Sequence, residues 1–220
     1  MVKYILLFLC AFCFSATAQI LDSHEISQAE AAKMIGAFQS TNRTTWSVHA
    51  GTLPKSAIIA FLSRKDAAHL QYYWGLDANN ELQAIYVANT AAGENILETN
   101  SILCPRRLTL HSEMDAQNIL TVKEAVEMMK RYRNSTLFEQ YKKAVGAYLP
   151  RESVLRLTKH ANTEGIRSYF AVSETGTPAL VFVGTTATAL DNTALFVDRS
   201  RECPPDCLTP SQLLILTAKN

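Results

Sequence analysis

The chain predicts an α+β fold built from two tandem helix-helix-β-hairpin units with pseudo-twofold character, an antiparallel sheet covered by helices. Three pairs of matching segments carry that expectation. Two helix starts of one design lie 94 positions apart, "ISQAEAAKMIGAF" at 26–38 and "LTVKEAVEMMKRY" at 120–132. Two proline-led stretches lie 96 apart, "LPKSAIIAFL" at 53–62 and "LPRESVLRLT" at 149–158. Two hairpin patterns share that offset of 96, residues 72–92 and 168–188.

In the first pair, Ser27-x-x-Glu30 and Thr121-x-x-Glu124 are capping boxes, each behind an apolar staple residue, Ile26 or Leu120. The apolar stripes coincide as well: Ala31, Met34, Ile35 and Phe38 against Ala125, Met128, Met129 and Tyr132, at helical spacing. Pro54 and Pro150 fit the first turn of a short second helix, where a missing N–H is no loss. The hairpin segments are rich in aromatic and β-branched residues and are broken at Asn79-Asn80 and Thr175-Gly176, pairs that accept the positive φ of a two-residue turn. "SILCP" at 101–105 and "RECPP" at 201–205 align at an offset of 99, which makes Cys104 and Cys203 equivalent. An extra piece near 134–145 carries Thr136-x-x-Glu139, the pattern of one more capped helix. The two hairpins are expected to join or stack, because an isolated hairpin is unstable.

Residues 1–18 have one early lysine, an apolar run and an Ala16-x-Ala18 site, the pattern of a signal peptide. The expected mature chain therefore starts at Gln19, is exported to the periplasm or beyond the cell, and divides into units 19–110 and 111–220. Lys3 is the only charged residue of the leader, so the 20 remaining basic residues balance the 20 acidic ones. That balance argues against an electrostatic grip on nucleic acid or an anionic membrane. No later segment approaches the length of a membrane span.

Two-residue turns place Trp74 opposite Ile85, Tyr72 opposite Val87, and Phe170 opposite Val181, forming a helix-covered face with Leu76 and Val172. Tyr73 with Tyr86, and Tyr169 with Phe182, then fall on the reverse face beside Gly75, Ala88, Ala171 and Gly184. These four aromatics are the candidate binding face. The plainer reading is a pair of cross-strand contacts that stabilise each hairpin, and apolar residues on both faces favour it.

The second unit, "GIRSYFAVSETGTPALVFVGTTA" followed by "CPPDC", resembles a group of uncharacterised secreted bacterial proteins. In that group a tyrosine-aromatic strand, a short polar turn, an apolar strand with a V-G element and a terminal C-P-P-x-C recur. The match spans residues 165–207 and implies export and fold, with no activity attached. The first unit departs from the pattern, since Cys104-Pro-Arg-Arg-Leu108 lacks the second cysteine.

Cys203 and Cys207 are expected to form a disulfide staple in an oxidising compartment. Cys104 is then either a buried thiol or the partner of one of them across the units. A metal site would need Cys104 and a distant histidine, and the five histidines show no paired spacing. A redox pair would have two intervening residues rather than three with Asp206 among them. The expected mature chain has no G-x-S-x-G, H-E-x-x-H, C-x-x-C or phosphate-cradling loop, and no cofactor is implied. His69, Glu113 and His160 are isolated polar residues, and lone residues of this kind are mostly solvated. Asn42-Arg43-Thr44 and Asn134-Ser135-Thr136 match the glycosylation sequon, which has meaning only in a eukaryotic source. The leading expectation is an exported, non-enzymatic protein that binds a protein or small ligand. The alternatives are an enzyme with a cleft between the units and a thiol or metal protein using Cys104, Cys203 and Cys207.

Overall fold

The computed structural model describes residues 24–41, 49–98, 101–105, 119–198, 201–203 and 212–218. The strands are β1 (Glu25–Ile26), β2 (His49–Pro54), β3 (His69–Leu76), β4 (Leu82–Asn89), β5 (Ile102–Leu103), β6 (Gly146–Pro150), β7 (Gly165–Val172), β8 (Pro178–Thr185), β9 (Asp191–Val197) and β10 (Arg201–Cys203). The helices are α1 (Gln28–Thr41), α2 (Lys55–Leu62), α3 (Val122–Arg133), α4 (Thr136–Gln140), α5 (Arg151–Lys159) and α6 (Gln212–Ala218). Two antiparallel five-stranded sheets result, sheet A in the order β1-β9-β8-β7-β2 and sheet B in the order β10-β6-β3-β4-β5. The class is α+β, as the periodicities predict.

The helix starts form as the sequence implies. Thr121 Oγ1 accepts the Glu124 amide at 3.2 Å while the Glu124 carboxylate accepts the Thr121 amide at 2.8 Å. At α1, Ser27 Oγ accepts the Glu30 amide at 3.1 Å. Ala31, Met34 and Phe38 of α1 are buried, as are Ala125, Met128, Met129 and Tyr132 of α3. Pro54 and Pro150 each sit at the N-cap, one place before the first turn, where they end a strand and open α2 or α5. The extra helix is α4; Ser135, instead of Thr136, holds its N-cap position, with its hydroxyl turned to the Tyr132 carbonyl and not to a first-turn amide.

The strand partners were not foreseen. β2 precedes α2 in the first half of the chain yet pairs with β7 of the second half; β6, preceding α5, pairs with β3 of the first half. The registers run in parallel. Thr52 faces Arg167 and Leu53 faces Ile166; 96 positions away, Tyr148 faces Gln71 and Leu149 faces Leu70. The two halves of the chain therefore exchange a strand rather than each closing its own sheet.

Hairpin register also differs from expectation, by one residue. Tyr73 faces Ile85, Trp74 faces Ala84 and Tyr72 faces Tyr86; in the other sheet Tyr169 faces Val181 and Phe170 faces Leu180. The cause is a three-residue loop in place of a two-residue turn. The Asp77 amide donates to the Glu81 carbonyl and accepts, through its own carbonyl, the Asn80 amide; Asn80 has φ 61° and Asp77 Oδ1 holds the Glu81 amide at 2.9 Å. This is a type I turn closed by a left-handed residue. The same device recurs at Thr90 with Gly93, Ser173 with Gly176 and Thr186 with Ala189. Ala189 is the one ordinary side chain of these three at positive φ, 63°. Ala189→Gly will raise stability by up to about 1 kcal/mol, read from the midpoint of urea unfolding.

A one-residue slip exchanges the two faces of a strand. Tyr72, Trp74, Tyr86, Phe170 and Phe182 line the inner faces where the sheets meet, together with Leu70, Leu180 and residues of α2 and α5. Tyr72 and Phe182 approach to 6.3 Å between ring centroids, and Tyr86 Oη donates to Ser168 Oγ at 2.8 Å across the junction. The outer face of sheet B, with Tyr73, Ile85 and Val87, lies under α3; that of sheet A, with Val181, Val183 and Ala171, lies under α1. Gly146 lets β6 cross β3 closely, since any Cβ there would collide with the Tyr72 carbonyl oxygen.

The tail alignment is corrected too. Leu103 faces Tyr86 as Val197 faces Phe182, so the ladder counterpart of Cys104 is Asp198. Cys203 instead faces Gly146 on β6.

Candidate functional site

The four predicted face residues do not share a surface. Tyr86 and Phe182 are buried at the sheet junction, Tyr73 is buried under α3, and Tyr169 alone is partly exposed, beside α1. Aromatic area on these strands is core, and the polar residues between them are what the outer faces offer.

Two polar clusters occupy matching places on the outer faces, 96 positions apart throughout. On sheet B they are Gln71, Tyr73, Asn89 and Asn95. Asn95 Nδ2 donates to Tyr73 Oη at 3.0 Å and to Asn89 Oδ1 at 2.9 Å; Asn89 Nδ2 reaches Gln71 Oε1 at 3.3 Å and the carbonyl of Gly93, the left-handed turn residue, at 3.2 Å. The Leu213 amide, in the first turn of α6, donates to Asn95 Oδ1 at 3.2 Å. All four side chains are buried and neutral, which is how polar groups persist in an interior: every one is hydrogen-bonded.

On sheet A the same positions hold Arg167, Tyr169, Thr185 and Asp191. Arg167 Nη1 bonds Asp191 Oδ1 at 2.7 Å, Tyr169 Oη donates to Asp191 Oδ2, and Arg167 Nε reaches Thr52 Oγ1 of the exchanged strand β2 at 3.3 Å. Arg167 Nη2 bonds the carbonyl of Ala189, the left-handed turn residue here, at 2.9 Å. Thr185 is too short to fill the role of Asn89, and Arg167 takes it over. The Thr185 hydroxyl is buried and has no hydrogen-bond partner among the described residues. This cluster is ionised and reaches solvent, with Arg167 16% and Asp191 26% exposed in their side chains. Leu190, between the turn and Asp191, is 67% exposed where its counterpart is Glu94.

Tyr169 is held above the ordinary tyrosine range by burial first and by the Asp191 carboxylate second, with Arg167 opposing. Burial likewise raises Tyr86 and Tyr132. Phenols that keep their protons in the folded state contribute stability that is fully present below the unfolded value of about 10 and is lost as pH rises above it. The urea midpoint will therefore hold to about pH 9 and fall steeply beyond about pH 10, and Tyr132→Phe will flatten the fall.

Cys104 is buried against Tyr73, Val87 and α3. Cys203 closes β10, while Cys207, Glu113 and the leader lie outside the described residues. His69 packs edge-on against Tyr148, and His160 ends α5. Among the described residues no three His, Cys, Asp or Glu side chains converge as a metal would require, and no helix is long and apolar enough to cross a membrane.

Fold and site together define a two-sheet α+β protein with an outer helix on each sheet and an open, ionised cluster on only one. No protein-family model, curated protein or solved structure matches the chain.

Proposed function

We propose that this is an exported, internally duplicated binding protein whose recognition site is the Arg167–Tyr169–Asp191 cluster on sheet A. One observation carries the reading: equivalent clusters exist on both outer faces, and only one is charged and reached by solvent. A cluster needed for folding alone is served by neutral amides, as at Gln71, Asn89 and Asn95. The parallel registers and the four matching turns support duplication with pseudo-twofold character. Aromatic packing at the sheet junction favours binding over an enzyme with a cleft between the units. The pattern of residues 1–18 supports export to the periplasm or beyond, and in that compartment Cys203 and Cys207 bond to each other. Mass measured after thiol labelling in denaturant, with and without prior reduction, will find one labelled cysteine, the buried Cys104, before reduction and three after; three before would remove the staple.

Binding is tested by NMR titration of the mature chain with small polar ligands and short peptides. Saturable shifts should gather at Arg167, Tyr169 and residues 189–191, and should vanish in the variant Arg167→Gln, Thr185→Asn, Asp191→Asn, which copies the sealed cluster. Turnover of a ligand that survives in that variant, or shifts gathered elsewhere, would overturn the assignment.

A further inference from the structure

α6 shows how this scaffold uses the place beside its outer cluster. Its Leu213 is wholly buried among Tyr73, Val87 and α3, and the Leu213 amide is taken by Asn95. First-turn amides of a helix have no partner inside it, so an acceptor at that point fixes where the helix lands. Ninety-six positions on, the acceptor is Asp191. Arg167 occupies one of its oxygens and Tyr169 the other, and each carboxylate oxygen has a second lone pair left. A carboxylate holds an amide more strongly than a carboxamide does. Next to it, Leu190 presents an apolar side chain to solvent where the other face has Glu94.

We infer that this face is an interaction surface for a short, uncharged, apolar helical segment of a partner protein, seated as α6 is seated at Asn95, with a first-turn amide on Asp191 and an apolar side chain against Leu190. The Arg167–Asp191 pair leaves no net charge in the cluster, so the matching segment is neutral. The inference rests on the binding reading above and names its partner class.

The probe is a synthetic acetylated peptide of residues 209–220, "TPSQLLILTAKN", added in trans to the full mature chain under NMR observation. Saturable shifts are expected at Arg167, Leu190 and Asp191. Leu190→Glu, which copies Glu94 at an exposed site and leaves the fold alone, should weaken binding about tenfold. A scrambled peptide should leave these signals in place. Shifts confined to Tyr73 and Asn95 would mean simple exchange with the chain's own α6 and would overturn the inference, as would binding indifferent to Leu190→Glu. Concentration-dependent dimerisation abolished by Leu190→Glu would make a second copy the occupant and would also overturn it. If the peptide fails while small polar ligands still shift the cluster, the helical partner is wrong and the binding site stands; if neither shifts it, both fall.

Discussion

Produced as two separate pieces, residues 19–110 and 111–220, the protein will fail to fold from either piece and will recover its structure when the two are mixed. The reason is the exchange of β2 and β6. Alone, the first piece keeps β3, β4 and β5 but has no β6 along the β3 edge, and its β1 and β2 have lost β9 and β7. Alone, the second piece keeps β7, β8 and β9 with both neighbours missing. Each would also expose an aromatic inner face, Tyr72, Trp74 and Tyr86 or Phe170 and Phe182, that the other normally covers. A three-stranded remnant with an open apolar face cannot offset the entropy of ordering its chain. Near-ultraviolet circular dichroism should be featureless for each piece and native-like for the mixture. A cooperative transition in either piece alone would show that the halves are independent.

Trp74→Ala will cost about 3–5 kcal/mol, a large share of the roughly 5–15 kcal/mol that holds a domain together. The indole is 1% exposed, 5.2 Å from the Tyr72 ring and 6.1 Å from that of Phe170, at the centre of the junction between the sheets. Its Nε1–H is buried without an acceptor among the described residues. Trp74→Phe removes that orphan donor together with part of the ring, so the two effects offset and the cost stays below about 1.5 kcal/mol. Urea unfolding of both variants separates the terms. Equal losses would mean that the Nε1–H makes a favourable bond and is no orphan, and a small loss for alanine would mean that the junction is loosely filled.

Local structure was legible because its causes are local. The Thr121–Glu124 box, the stripes of α1 and α3 and the existence of both hairpins depend on residues within a few positions of one another. Strand exchange depends on which distant edge β2 meets, and "HAGTLP" contains nothing that distinguishes β3 from β7. β9 and α6 were missed for a related reason. β9 breaks its alternation at an irregular register between Val183 and Gly184, and α6, "QLLILTA", has too little polar residue to show a helical stripe.

The site was lost to one residue of turn length. Two-residue turns at Asn79-Asn80 and Thr175-Gly176 were expected, yet the side chains of Asp77 and Ser173 close three-residue loops. The shift sent the expected aromatic surface into the core. The two polar clusters were visible around the ends of the aligned segments: Gln71-x-Tyr73 against Arg167-x-Tyr169, and Asn95 against Asp191, keep the offset of 96. They are marked by the residues that differ between the halves, Gln71 against Arg167 and Asn95 against Asp191, not by those that match.

The shortest strand bears most on how quickly the protein reaches its final form. Glu25 of β1 faces Val197, and the Asp198 amide donates to the His24 carbonyl at 2.9 Å, so the strand pairing of the first described residues comes from residues made about 170 positions later. During synthesis this segment is made long before its partner strand β9 and stays unpaired until nearly the entire chain has followed. Contacts so remote in sequence raise the contact order and slow the search, placing folding toward the millisecond-to-second end of the range for single domains. The ion pair between Glu25 and Arg156, at 2.8 Å, then acts as a late latch: it can form only after the rest of sheet A is in place, so weakening it should speed unfolding and leave the folding rate nearly unchanged.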